Sequence, residues 1–251
     1  MRSRAFPLSI VCSVLAACTA NAPSRHAALT PEARLQVAEA ADASGDSDLA
    51  LSMYSAAATE NPGNIELQLR YTDALARQGK IGAAKALLED RLRIHPGQPD
   101  LTRALALINL MAGQLTQAIA GLDQVLAADP GDARALVDKA VALDLQGQHA
   151  AAQSIYRQVL ANSPADPATR NNLALSLMLE GQPRQALETL APMQNVDASP
   201  PRLKINLGIL YAANGNAELS RELLGDSLSQ AELAALTHAL TSPNARFGTG
   251  Q

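Results

Sequence analysis

The sequence predicts an all-α solenoid of stacked helical hairpins. Gly45, Gly79, Gly113, Gly147, Gly181 and Gly215 recur every 34 residues, and Pro62, Pro96, Pro130 and Pro164 follow the first four by 17. A period of this length marks a hairpin that cannot bury its own apolar face and must stack on its neighbours. Composition agrees with the period. Hydrophobic residues are 47% of the 251 and aromatics only 2%, with no Trp, so the core is built from Ala and Leu. Such side chains suit closely packed helices better than a β-sandwich.

The chain opens with a targeting pattern. Arg2 and Arg4 precede an apolar run from Phe6 to Leu15, which leads into Ala16-Ala17-Cys18. These are the basic n-region, short h-region and small-residue cleavage site of a signal peptide over residues 1–17. The run is too short for a permanent membrane span. The Leu15-Ala16-Ala17-Cys18 tetrad resembles the bacterial lipobox. That resemblance implies that Cys18 becomes the acylated first residue of the mature chain, that Cys12 leaves with the leader, and that no disulfide can form. Thr19 rather than Asp follows Cys18, which resembles lipoproteins sorted to the outer membrane. One acyl chain binds only marginally, at about 0.8 kcal/mol per buried CH₂, whereas several on one residue anchor firmly. The alternative is a plain secretory signal with an incidental cysteine. Residues 18–30 then form the lipidated terminus and a small, polar, flexible tether.

Thr30-Pro31-Glu32 starts the folded body with a capping hydroxyl, Pro in the first turn and an early acid. From there the blocks 31–64, 65–98, 99–132 and 133–166 align without gaps. Within each, Gly supplies the left-handed residue that closes the first helix, and Pro ends the second. Asp132 and Asp166 stand where the following helix needs an N-cap. Size is periodic too. Small residues recur at Ala38, Thr72, Ala106, Ala140, Ala174 and Gly208, and again at Ala50, Ala84, Ala118, Ala152, Ala186 and Ser220. Large ones recur at Tyr54, Leu88, Leu122, Tyr156, Leu190 and Leu224. Small columns are a packing requirement, because only they let two helices approach closely.

This combination of small residues, Gly, Ala, a bulky residue and Pro resembles the tetratricopeptide repeat over residues 31–224. The resemblance implies a right-handed superhelix of antiparallel helix pairs. The chain departs from the repeat at the Trp near the start of each unit, where Arg34, Gln68, Thr102, Leu136, Arg170 and Lys204 stand instead. That loosens individual units without changing the architecture.

Units five and six are less regular. Pro192 should end a second helix near Ala191, leaving Met193 to Pro201 as a longer loop with Pro201 opening the next helix. After Leu224-Gly225, Ser229 and Glu232 form a capping box, with Leu228 and Leu233 as its hydrophobic staple. Residues 225–240 are therefore expected to carry a terminal helix covering the open end of the stack, as solenoids require. The tail 241–251 should be disordered.

Chemistry is not expected. His26, His95, His149 and His238 lack metal-ligand spacing with a second ligand nearby. No nucleophile elbow, phosphate loop, zinc-protease helix or redox dithiol motif occurs. Asp138 and Asp144 are expected to be solvated helix-surface acids. The net charge of -4 is spread without a basic stripe, so nucleic acid has no electrostatic footprint to bind. No enzyme activity, cofactor, metal or small-molecule substrate is expected. A protein partner is.

The repeat resemblance implies that first helices line a concave face, with groove residues at unit positions 2, 5, 9, 12 and 13. Units one and two place Glu39, Asp42, Asp73 and Arg77 there. Units three to six place Leu107, Leu110, Met111, Val137, Val141, Leu145, Leu175, Met178, Ile205 and Ile209. A helix apolar all round is covered by something. One reading is a groove for an amphipathic partner segment, made adaptable by its Met residues; the other is cover from tight curvature or the terminal helix. Asn171, Asn172 and Asn206 sit inside helices, where Asn is locally unfavourable. They would either clamp a ligand's backbone or brace the 193–201 loop.

The stretch Asp138-Lys-Ala-Val-Ala-Leu-Asp144-Leu-Gln-Gly147-Gln-His149, with Tyr156-Arg157, Arg170-Asn-Asn-Leu-Ala-Leu-Ser-Leu and Arg184-Gln-Ala, resembles the TadD-like lipoproteins of the Flp (tight adherence) pilus machinery. That family implies an outer-membrane, periplasm-facing assembly factor, pilotin-like, which captures an apolar segment of the secretin. Two other expectations remain open. One is a scaffold for a different envelope machine, such as a type IV pilus or an outer-membrane protein insertion complex. The other is a cell-wall-associated accessory module.

Overall fold

The computed structural model describes residues 29–193, 201–225, 228–229, 231–232, 235 and 238. Among them are twelve α-helices and no strand. They pair as α1 (Pro31–Ser44) with α2 (Ser47–Glu60), α3 (Ile65–Arg77) with α4 (Ile81–Ile94), and α5 (Pro99–Met111) with α6 (Leu115–Ala128). Then come α7 (Ala133–Leu145) with α8 (His149–Asn162), α9 (Pro167–Leu179) with α10 (Pro183–Leu190), and α11 (Pro201–Ala213) with α12 (Ala217–Leu224). Each helix packs against the next in sequence, and α3, α5, α7, α9 and α11 also touch one another in succession. That closer approach puts the first helices on the inner curve and the second helices outside. The all-α repeat solenoid predicted from the 34-residue period is what the chain adopts.

Local chemistry explains the breaks. The six periodic glycines have φ between +71° and +82°, a conformation that carries a steric cost for any residue with a Cβ. Thr30, Asp46, Asn64, Asp132, Asp166 and Asn216 cap the helices that follow them through side-chain oxygens, each satisfying backbone N–H groups that the helix cannot. The chain leaves α10 at Leu190 and continues as a 3₁₀ turn over Ala191–Met193; Ala191 keeps helical backbone, but Pro192 has no N–H with which to continue the helical hydrogen-bond ladder.

The size columns form the core. Ala50, Ala84, Ala118, Ala152, Ala186 and Ser220 are all buried, as are Tyr54, Leu88, Leu122, Tyr156, Leu190 and Leu224. The capping box after unit six is present: Ser229 N–H donates to Glu232 Oε2 at 2.9 Å and Glu232 N–H to Ser229 Oγ at 3.3 Å. Leu233 and most of the expected terminal helix lie outside the described residues. So do the signal peptide, Cys18, most of the tether, most of the 193–201 loop and the 241–251 tail.

Candidate partner-binding groove

The inner curve changes character along its length. At its N-terminal end, Arg77 pairs with Asp42 at 2.6 Å and with Asp73, while Arg70 reaches Glu39 at 3.8 Å and Glu66 at 3.6 Å. One unit further, the register position of Arg77 is taken by Met111, then Leu145, then Leu179. These three are 54%, 58% and 39% exposed. They form a ridge of apolar side chains facing water on α5, α7 and α9, with half-buried Leu107, Leu110, Val141 and Leu175 beside it. Ile205 adds a further exposed apolar side chain on α11 at 41%.

Polar groups between the first helices are matched to one another. Asn206 Nδ2 donates to Asn171 Oδ1 at 2.7 Å, so these two amides satisfy each other across α9 and α11. Arg103 Nε donates to Asp138 Oδ2 at 2.7 Å beside a cleft of about 310 Å³ that also includes Val137, Asp166 and Thr169. Burial pushes the Asp138 carboxyl above its ordinary range, with Arg103 pulling the other way. Asp144 Oδ1 meets His149 Nδ1 at 2.9 Å and accepts from Ser176 Oγ at 2.6 Å. The expectation that Asp138 and Asp144 are solvated surface acids is therefore wrong. Their side chains are only 17% and 11% exposed, because neighbouring first helices close over unit positions 6 and 12. Among the described residues no group of three His, Cys, Asp or Glu side chains is placed to hold a metal ion.

A family comparison fits this geometry. Tetratricopeptide repeats match residues 41–108, 109–168 and 145–204. The chain belongs to the tetratricopeptide repeat family. Comparison with curated proteins gives no match. Among solved structures, PilW, a widely conserved type IV pilus biogenesis factor, is similar at 21% identity with a TM-score of 0.67, covering 82% of this chain and 97% of its own. A thermophilic repeat protein of Thermus thermophilus has 19% identity and a TM-score of 0.64, covering 72% and 98%. The Cut9–Hcn1 tetramer of the APC/C aligns at 15% identity and 0.69, covering 86% of this chain and 44% of that one. At these identities the likeness is one of fold. A tetratricopeptide scaffold of this kind mediates protein–protein contact.

The expected groove residues do not share one environment. Met178 is not on the groove surface: it is 9% exposed and packs in the core with Leu173, Leu177 and Leu207. Its register neighbours Ala76 and Ala212 are buried as well, since unit position 12 faces the seam between first helices. Val137, Val141 and Ile209 are half-buried against that same cluster. Leu107, Leu110 and Leu175 are also half-buried, whereas Met111, Leu145 and Ile205 are open. Asn171 and Asn206 come together, and Asn172 is half-buried beside them in sequence. Leu179 was missed, although its register with Met111 and Leu145 could have found it.

Proposed function

We propose that this protein is a lipid-anchored scaffold of the outer membrane, facing the periplasm. It acts as a pilotin-like assembly factor of the Flp (tight adherence) pilus, and its inner curve captures an apolar segment of a partner such as the secretin. The observation carrying this reading is the exposed ridge of Met111, Leu145 and Leu179. An amphipathic helix laid along it would cover side chains that otherwise face water, the helix-in-groove mode. The lipobox-like Leu15-Ala16-Ala17-Cys18 supports the anchor, and the motif resemblance over residues 138–186 supports the Flp machinery. The fold likeness to PilW favours a type IV pilus as the second candidate host.

Met111→Asp and Leu145→Asp alter solvent-facing positions and should leave helicity intact. Co-purification of the Flp secretin from detergent extracts should fall sharply in both variants. Recovery of only a type IV pilus secretin would move the reading to that machine. Undiminished secretin capture by both variants would end the groove assignment.

A further inference from the structure

The exposed ridge of Met111, Leu145 and Leu179 is one of two parallel rows. Four residues earlier, on the same side of each helix, Leu107, Val141 and Leu175 form a second row, half-buried. Both rows turn from charged to apolar between α3 and α5, where Asp73 gives way to Leu107 and Arg77 to Met111. The exposed row stops beyond α9, where its register holds Ala213, which is buried.

Charge is unbalanced at the N-terminal end of these rows. Arg77 is shared by Asp42 and Asp73, and Arg70 by Glu39 and Glu66. Two guanidinium groups thus face four carboxylates, and Glu39, Glu66 and Asp73 are open to water. At the other end Glu180, beside Leu179, already accepts from the Gln153 and Gln182 amides at 2.7 and 2.8 Å. The apolar surface therefore has excess negative charge at one end and a matched carboxylate at the other.

Taking the ridge as the partner groove just proposed, we infer that its occupant is an amphipathic helix with a charged end. Its apolar stripe is about two heptads long, and Lys or Arg continues that stripe only where it lies over α3 and α1. Two rows suit a helix, whereas an extended strand turns alternate side chains away. Packed helices lie about 8–10 Å apart, and a helix advances about 10.5 Å in seven residues. Residues one heptad apart thus reach successive ridge side chains, and those three or four places on reach the second row. Passing from α9 to α5 takes two such steps. The next step carries the partner over Asp73, where a cation is matched and a carboxylate repelled.

Two labelled helical peptides make the test, both with Leu at the first and fourth places of two heptads. One continues that stripe at one end in Lys, the other in Glu. In anisotropy titrations with the full chain at about 0.05 M salt, the Lys peptide should bind roughly fivefold more tightly, as expected of a pair of exposed charge contacts. About 0.5 M salt should erase most of that difference. Glu39→Gln combined with Asp73→Asn should erase it too, while Met111→Asp should weaken both peptides together. A Lys peptide with its leucines shuffled out of the heptad should bind poorly. Equal affinity of the Lys and Glu peptides in low salt, undiminished binding of the shuffled one, or no saturable binding by any of them would overturn this occupant and leave the groove to its own test. Binding indifferent to Met111→Asp would instead remove the groove. A dimer in light scattering that Met111→Asp turns into a monomer would put a second copy of the chain on the ridge, and overturn the assignment as well.

Discussion

The Tyr54 hydroxyl donates to Asp42 Oδ2 at 3.0 Å, and three repeat units later Tyr156 stands beside Asp144 in the same relation. The other four units carry Leu in the large column and Ala, Leu or Met twelve residues before it. The column therefore takes Tyr only where a carboxylate is at hand for its hydroxyl, as burial of a phenol demands.

Asp144 supports more than Tyr156. The fully buried Ser176 hydroxyl donates to it at 2.6 Å and His149 meets it at 2.9 Å. Asp144→Ala should destabilise the chain by about 1–3 kcal/mol, because buried donors lose their acceptor. Adding Ser176→Ala should cost less than its single-variant value, giving a non-additive cycle in urea unfolding. Strict additivity would show that the two groups are not coupled.

The tyrosines also set an alkaline limit. Burial and then the Asp144 charge push the Tyr156 phenol far above its ordinary range, and burial with the Asp42 hydrogen bond raises Tyr54. Unfolded phenols ionise near pH ~10. Above that point the unfolded chain has released protons that the native chain retains, so stability, level below it, falls as pH rises. Melting temperatures recorded a unit either side of that point should show the drop. Tyr156→Phe should flatten it, whatever its effect at neutral pH.

Cys18→Ser tests the anchor independently of the groove. If several acyl chains on this residue hold the protein, its loss should move the chain from the membrane pellet to the periplasmic supernatant, since nothing else in the described residues is long and apolar enough to cross a membrane. Persistent pelleting after a carbonate wash would show that lipid on Cys18 is not what holds it.

Whether a feature was legible in the sequence depended on whether it was a matter of size or of angle. The Ala118 and Leu122 columns were plain because close helix packing restricts volume at every repeat. Groove exposure was not, because adjacent unit positions lie about 100° apart around a 3.6-residue helical turn. That rotation separates buried Met178 from exposed Leu179. Asp138 and Asp144 read as surface acids because their partners, Arg103 and Ser176, are more than thirty residues away in sequence.

Gly208 closes the small column of the first helices, and its reason is the facing Leu224. A Cβ built on Gly208 would lie 2.4 Å from Leu224 Cγ and 2.8 Å from its Cδ2, closer than carbon atoms pack. Leu224 is itself fully buried, so it has little room to retreat. Gly208→Ala gains about 1 kcal/mol of helix propensity, but overpacking of this kind costs about 1–3 kcal/mol, and the short contact to a branching carbon places it at the upper end. The net effect should be destabilising. Shortening the neighbour should reverse the sign of the change: in a Leu224→Ala background, Gly208→Ala should raise the urea midpoint, because the clash is gone and the propensity gain remains. A Gly208→Ala variant that is more stable than the parent with Leu224 intact would mean that α11 and α12 approach less closely than their packing indicates.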